Sequence, residues 1–185
     1  IEWSFWKRFV KFKRAQPGFN QSAIEVIDDI TEKVLGSIED PNRAGPWDRR
    51  GLVFGHVQSG KTSSYTGLIN KAADAGYKFF IILAGLHNNL RAQTQVDIDE
   101  GFLGRNSETK KHCGVHDFGP SIKTPDCFTN RTERGDFKTS AFRGQLINLT
   151  NGGIKVLVIK KNVTALRNLA DWFESFAPKE EFIKD

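Results

Sequence analysis

At 185 residues, 38% hydrophobic and 26% charged with a formal net charge of +5, the chain is long enough for one domain with a sizeable core and short for two. No apolar run nears the ~20 residues of a membrane span, and no basic-then-apolar leader opens the chain, so neither a membrane partner nor secretion is expected. Cys113 and Cys127 are the only cysteines, too few for a disulfide framework, and a cytoplasmic setting is the expectation. The chain begins at Ile1 and carries no methionine, which reads as an excerpt of a longer protein.

The first 14 residues set Lys7, Arg8, Lys11, Lys13 and Arg14 against Glu2 alone, interleaved with Trp3, Phe5, Trp6, Phe9 and Phe12. Cations mixed with rings suit a nucleic-acid surface. The helical spacing of Trp3, Trp6 and Phe9 favours an amphipathic helix with its aromatics on the core. Ser22-Ala23-Ile24-Glu25 reads as a capping box, and Ile24, Ile27, Ile30, Val34 and Ile38 continue an apolar stripe, so a helix is expected over 22–37. Pro41, Gly45 and Pro46 mark 39–50 as a loop. Within it, Arg43, Trp47 and Arg49 are candidates for contact with an adenine ring. Gly51-Leu52-Val53-Phe54 is a short strand-like run.

That run leads into Gly55-His56-Val57-Gln58-Ser59-Gly60-Lys61-Thr62, an unbroken G-x-x-x-x-G-K-[ST] phosphate loop, expected by chance in about one chain of this length in a hundred. Each fixed position has a physical task on a triphosphate. Glycines let backbone N–H groups turn toward phosphate oxygens, and the following helix directs its positive end to the same place. Lys61 reaches the β/γ-phosphates and Thr62 gives its hydroxyl to Mg²⁺. The nucleotide-binding set is therefore Gly55, Val57, Gln58, Ser59, Gly60, Lys61, Thr62 and Ser63, with Lys61 and Thr62 as the catalytic pair and ATP with Mg²⁺ as the ligand. A helix is expected over 62–75, with Tyr65, Leu68, Ile69 and Ala72 inward and Gly76 as its stop.

Tyr77 to Ala84 is a near-continuous apolar run, as expected for a parallel strand buried on both faces. Asn88 or Asn89 caps a helix to Ile98 with Leu90, Thr94 and Ile98 inward. Residues 99–125 read as a long loop or insertion. A short strand over 126–129, a helix over 136–149 with Phe142, Leu146 and Leu149 aligned, and a core strand over 155–159 follow. Asn162 then caps a helix to Phe176 with Leu166, Leu169, Ala170 and Phe173 as its stripe. Strands alternating with helices predict an α/β fold with a doubly wound parallel sheet.

Leu83 to Gln95 resembles the segment after the second strand of superfamily 2 helicases, and Asn88, Arg91 and Gln95 share one helix stripe suited to backbone phosphates. Lys160 and Lys161, at a strand's carboxyl end, are further nucleic-acid candidates. Taken with Gly51–Thr62, Tyr65–Tyr77, Asp99–Gly104, Gly135–Phe137 and Val156–Asn162, the segment resembles the bacterial Z-one domain endonuclease family, a helicase-like ATPase group linked to restriction–modification and phage defence. The resemblance covers most of 40–175. It implies a three-layer, RecA-like phosphate-loop domain over 51–185, with 1–50 a helical segment and loop packed on it. It also implies ATP and Mg²⁺, a nucleic-acid partner (DNA above RNA), and a partner nuclease or MutL-like ATPase.

The chain departs from a complete motor. No apolar strand after the phosphate loop ends in Asp-Glu; Asp97, Asp99 and Glu100 follow a helix instead. In the family that acidic strand comes after the last helix here, beyond Asp185, so weak hydrolysis by this chain is expected. Two other readings stand beside the motor. One is a nucleotide-binding regulatory module controlling a partner nuclease. The other is a metal-dependent endonuclease using Asp126, Asp136 and Lys138, whose Pro125-Asp126 and Asp136-Phe137-Lys138 fit a degenerate PD-(D/E)-x-K pattern; Asp136 also suits a helix N-cap. His112, Cys113, His116 and Cys127 match no zinc spacing.

Overall fold

The first helix, α1 (Ser4–Arg14), begins without a local cap: Trp3 offers no side-chain acceptor. The carboxylate of Asp74 takes that place from far along the chain, accepting the N–H groups of Phe5 at 3.0 Å and Trp6 at 2.8 Å. It satisfies first-turn donors as a local Asp or Ser would. The computed structural model describes residues 1–54, 60–119, 122–138 and 152–175. Phe5, Phe9 and Phe12 are buried while Lys7, Lys11 and Arg14 face solvent, so the amphipathic reading of the N-terminal segment holds. Lys13 lies over the rings of Phe9, Phe12 and Phe19.

Helix α2 (Gln21–Ser37) is capped by Asn20, whose Oδ1 accepts Ala23 N–H at 2.9 Å. This corrects the expected Ser22 capping box. Extended backbone at Asn20 aims its side chain at the third helical N–H, so the helix starts one step earlier and Ser22 lies inside it. Helix α3 (Lys61–Ala75) packs on both α1 and α2. A Cβ at Gly67 would stand 3.1 Å from Ile27 Cγ2 and 3.2 Å from both Phe9 and Trp6, so the missing side chain is what lets the helices close. Gly76, at φ +109°, ends α3: its N–H donates to Ala73 O and Tyr77 N–H to Ala72 O. Of the expected inward set, Ile69 and Ala72 are buried and Tyr65 and Leu68 half-buried. Thr66, Gly67, Asn70, Lys71 and Ala73 are buried instead, because α1 and α2 cover that flank.

The sheet is parallel, in the order β1–β3–β2, with β1 Phe79–Ala84, β2 Asp126–Cys127 and β3 Lys155–Lys160. Phe79 pairs with Lys155 and Ala84 with Lys160. Val156 to Ile159 of the central strand have no exposed surface. On one face Phe80, Ile82, Val156 and Val158 meet Phe5, Ile98 and Phe102, under α4 (Asn88–Ile98) and a wide helical turn at Asp99–Leu103. On the other, Phe79, Leu157 and Ile159 lie under α5 (Val163–Glu174) through Leu169 and Trp172. Asn162 caps α5, accepting Ala165 N–H at 2.8 Å. The architecture is α/β: a small parallel sheet with helices on both faces.

Several expectations about facing change. The buried residues of α5 are Ala165, Leu169 and Trp172. The stripe is rotated so that Trp172 can meet Phe79, Phe128 and Phe137. Ile81 and Leu83 on β1 are 38% and 48% exposed, since α5 reaches only the Phe79 end of that strand. Gly51–Phe54 is exposed coil without a ladder partner among the described strands, with Leu52 at 79% and Phe54 at 89%. Residues 99–118 are no loose insertion: Phe102, Leu103 and Val115 are buried. Asp136–Lys138 is irregular, and the rest of the helix expected there lies outside the described residues.

Asp74→Ala removes the acceptor of both α1 amides and is expected to lower stability by about 1–2 kcal/mol in urea unfolding. Asp74→Asn, which keeps one acceptor oxygen, costs less.

Candidate nucleotide site

The start of α3 is the candidate anion site. Gly60 is its N-cap in the left-handed conformation at φ +73°, and nothing crowds the place of a Cβ; the need for glycine there comes from the backbone, not from space. Ser64 N–H closes the first helical bond onto Gly60 O at 3.1 Å. The N–H groups of Thr62 and Ser63 have no acceptor within the helix and point out of its positive end. Lys61 and Thr62 are exposed, whereas Ser63 is buried. Gly55, Val57, Gln58 and Ser59 lie outside the described residues.

The two flanks of this helix end differ in chemistry. One opens on an apolar cavity of about 450 Å³ walled by α2, α3 and the coil at Val53–Phe54, lined by Ile30, Val34, Phe54, Tyr65 and Leu68, with Lys61 in the lining. The other holds a pocket of about 50 Å³ where Thr62 and Thr66 meet Asp97, Glu100 and Lys13. Burial pulls the Lys13 ammonium down, and those two carboxylates oppose it. Burial also pushes Asp97 up, with Lys13 opposing. The Tyr65 phenol is pushed up to about 12 by burial and then by Asp97, against its hydrogen bond to Thr62.

Arg43, Trp47 and Arg49 do not reach this end. Trp47 meets Tyr77 edge-on at 6.2 Å, and both arginines bind Glu39. They sit by the C-terminus of α3, about 22 Å along the helix from Lys61, which removes them as base contacts.

The expected nucleic-acid stripe of α4 is likewise corrected. Arg91 and Gln95 have no exposed surface. The Arg91 guanidinium donates to Asn130 O at 2.8 Å, Thr132 O at 2.5 Å and Val158 O at 3.5 Å. Burial lowers its pKa. Gln95 donates to Asp99 at 2.9 Å and to Cys127 Sγ at 3.2 Å, and accepts Thr129 Oγ1 at 2.6 Å. Asp99, one turn further, accepts Ser107 N–H and Oγ and Arg131 Nε at 2.7–2.8 Å. The inward face of α4 thus carries Arg91 and Gln95 beside Ile98, which is buried as expected, and Leu90 is 45% exposed. His87, not an asparagine, is the N-cap of α4. Asn88 and Lys161 are exposed at the carboxyl edge of the sheet, and Lys160 is paired with Asp136 at 3.7 Å. Asp97, level with Thr62, stands about 14 Å down α4 from Asn88.

The nuclease set does not assemble. Asp126 pairs with Lys155 and Asp136 with Lys160, which puts the two carboxylates at opposite ends of β3, about 16 Å apart and on opposite faces. Lys138 is exposed. Of the weak metal set, His112 stacks on His116 at 3.6 Å, Cys113 faces Asp99 O and Arg131, and Cys127 belongs to the Gln95 cluster. No group of three ligating side chains occurs among the described residues.

Sequence reasoning missed the α2 wall of the cavity and the placing of Asp97 and Glu100 in one small pocket with Thr62. Lys61, Tyr65 and Leu68 at i, i+4 and i+7 marked one face, but that face read as core. Arg91→Ala is expected to lower stability by about 2–4 kcal/mol in chemical unfolding, because it leaves buried carbonyls unpaired. Nucleic-acid affinity per folded molecule stays unchanged. A scan against known protein families finds no match for the chain, and searches of curated proteins and of solved structures find none.

Proposed function

We propose that this chain binds ATP with Mg²⁺ at the start of α3 and serves as the ATP-binding part of a helicase-like, nucleic-acid-dependent ATPase in DNA processing or restriction. The observation that carries the reading is the G-x-x-x-x-G-K-[ST] run of 55–62 ending on a left-handed Gly60 at the head of a 15-residue helix. Backbone donors, helix dipole and the Lys61 ammonium then converge on one anion. Thr62 would hold Mg²⁺. Asn88, Lys160 and Lys161 would carry the nucleic-acid contact on the other edge, with DNA as the partner. The RecA-like topology belongs to this same proposal.

A regulatory role, in which bound nucleotide controls a partner nuclease, is favoured by one feature. The described strands β1 and β3 run out into Ala84-Gly85 and Lys160-Lys161, and Asp136, the carboxylate beside the end of β3, is held by Lys160 at 3.7 Å, so neither strand itself ends in a carboxylate that would activate water.

Lys61→Ala is expected to weaken ATP·Mg²⁺ binding by at least about tenfold in calorimetric titration, with the unfolding midpoint unchanged. The chain itself is expected to turn ATP over near the buffer rate, with or without DNA. Unchanged ATP affinity in Lys61→Ala would sink the phosphate site, and brisk turnover by the wild-type chain would sink the regulatory account.

A further inference from the structure

We propose that the apolar cavity between α2 and α3 takes the base and ribose of a purine nucleoside triphosphate whose phosphates sit at the start of α3. The inference rests on the nucleotide reading above and adds the part of the ligand that the phosphate loop leaves unspecified. At about 450 Å³, the cavity falls within the range of small-molecule sites.

Its walls are Val26, Ile30 and Val34 of α2, Tyr65 and Leu68 of α3, and Val53 and Phe54 of the coil before the phosphate loop, with Lys61 at the head of α3 also in the lining. Lys61, Tyr65 and Leu68 share one helix face. The cavity therefore runs about 10 Å along α3 from its head, the reach of a nucleoside from its 5′ oxygen to the far edge of the base. At Gly67 and Ile27 the two helices touch. Along this flank they part, leaving Val26 55% exposed and Ile30 and Leu68 half-buried. The Tyr65 ring gives a base a face to stack on.

The lining also says how such a base is recognised. Thr31 Oγ1 donates to Ile27 O at 2.7 Å and Asp28 O at 3.0 Å, and Ser64 Oγ donates to Gly60 O at 3.4 Å. Among the described residues no carboxylate or amide side chain lines the cavity. No side chain among the described lining residues reads the hydrogen-bonding edge that separates adenine from guanine. The site takes a purine by shape and stacking, and ATP and GTP bind alike.

Calorimetric titration of the whole chain with ATP, GTP and inorganic tripolyphosphate, each with Mg²⁺, tests this. The variants Leu68→Trp and Val34→Trp fill the cavity from opposite walls, and circular dichroism identifies the folded ones. In the wild type, ATP and GTP are expected to bind within about threefold of each other and about tenfold tighter than tripolyphosphate. In either filled variant, ATP falls to the affinity of tripolyphosphate while tripolyphosphate is unaffected. ATP no tighter than tripolyphosphate, or a filled variant that binds ATP as the wild type does, overturns the inference alone. Failure of all three ligands to bind overturns the phosphate site and the inference with it. A concentration-dependent dimer that Leu68→Trp abolishes, with ATP affinity unchanged, overturns it in favour of a second copy of this chain as the occupant.

Discussion

Arg91, Gln95 and Asp99 stand one helical turn apart on α4, and the rest of the sheet face is organised around them. Each is buried; Gln95 donates to Asp99, and the three reach Val158, Asn130, Thr132, Thr129, Ser107 and Arg131, with the Arg91 Nε left without a partner. A buried guanidinium, amide and carboxylate are costly unless satisfied, and satisfying them admits one arrangement of the surrounding loops. Thr129 shows how tightly this is coupled, since its hydroxyl donates to Gln95 and accepts Val158 N–H at 3.0 Å. That single side chain joins α4, the segment after β2 and the central strand. The polar seam fixes where β2 lies against β3 more closely than its two-residue ladder could.

The same seam explains what could and could not be read beforehand. Helix and strand positions carried local signals: Asn162 as a cap, Gly76 as a stop, the β-branched run of β3. Those signals act on near neighbours, and their elements formed where expected. Facing was harder. Pattern reading puts apolar residues inside, so Leu90, Thr94 and Ile98 read as inward and Arg91 and Gln95 as outward; Ile98 is buried as expected, Thr94 is half-buried, and Leu90 is exposed while Arg91 and Gln95 are buried. Asp99 had the same effect on 99–118, where its bonds to Ser107 and Arg131 turn polar, aperiodic sequence into packed structure. Of the candidate site, Lys61 and Thr62 stand out in the sequence because the phosphate-loop pattern is a matter of spacing within one loop, and they stand exposed at the head of α3. The apolar wall from α2 does not stand out, because it exists only once Ile27 meets Gly67 and the helices diverge beyond.

Helix α3 is held unlike the other long elements. It meets α1, α2 and the Asp99–Leu103 turn, with Asn70 donating to Gly101 O at 2.9 Å. Its Ile69 and Ala73 join the sheet core with Ala84, Val156 and Val158, and its head projects between two chemically distinct flanks. Acidic groups with Lys13 lie on one side and hydrocarbon on the other. A ligand with a charged end and an apolar end is matched by that asymmetry. A simple inorganic anion would use half of it.

The bond from Asp74 to the head of α1 has a consequence beyond that helix. Residues 1–14 carry two tryptophans, three phenylalanines and five cations, and their own first turn contains no acidic residue. Folded, the rings are spent on Ile27, Gly67 and Phe102. Released, the same stretch is an adhesive, cationic, aromatic tail that would cling to any acidic polymer in the cell. A carboxylate 68 and 69 positions away from the amides it holds thus does more than end a helix neatly. It keeps a sticky sequence sheathed for as long as α3 stays intact, so the first sign of α3 unfolding would be unspecific adhesion rather than simple loss of structure.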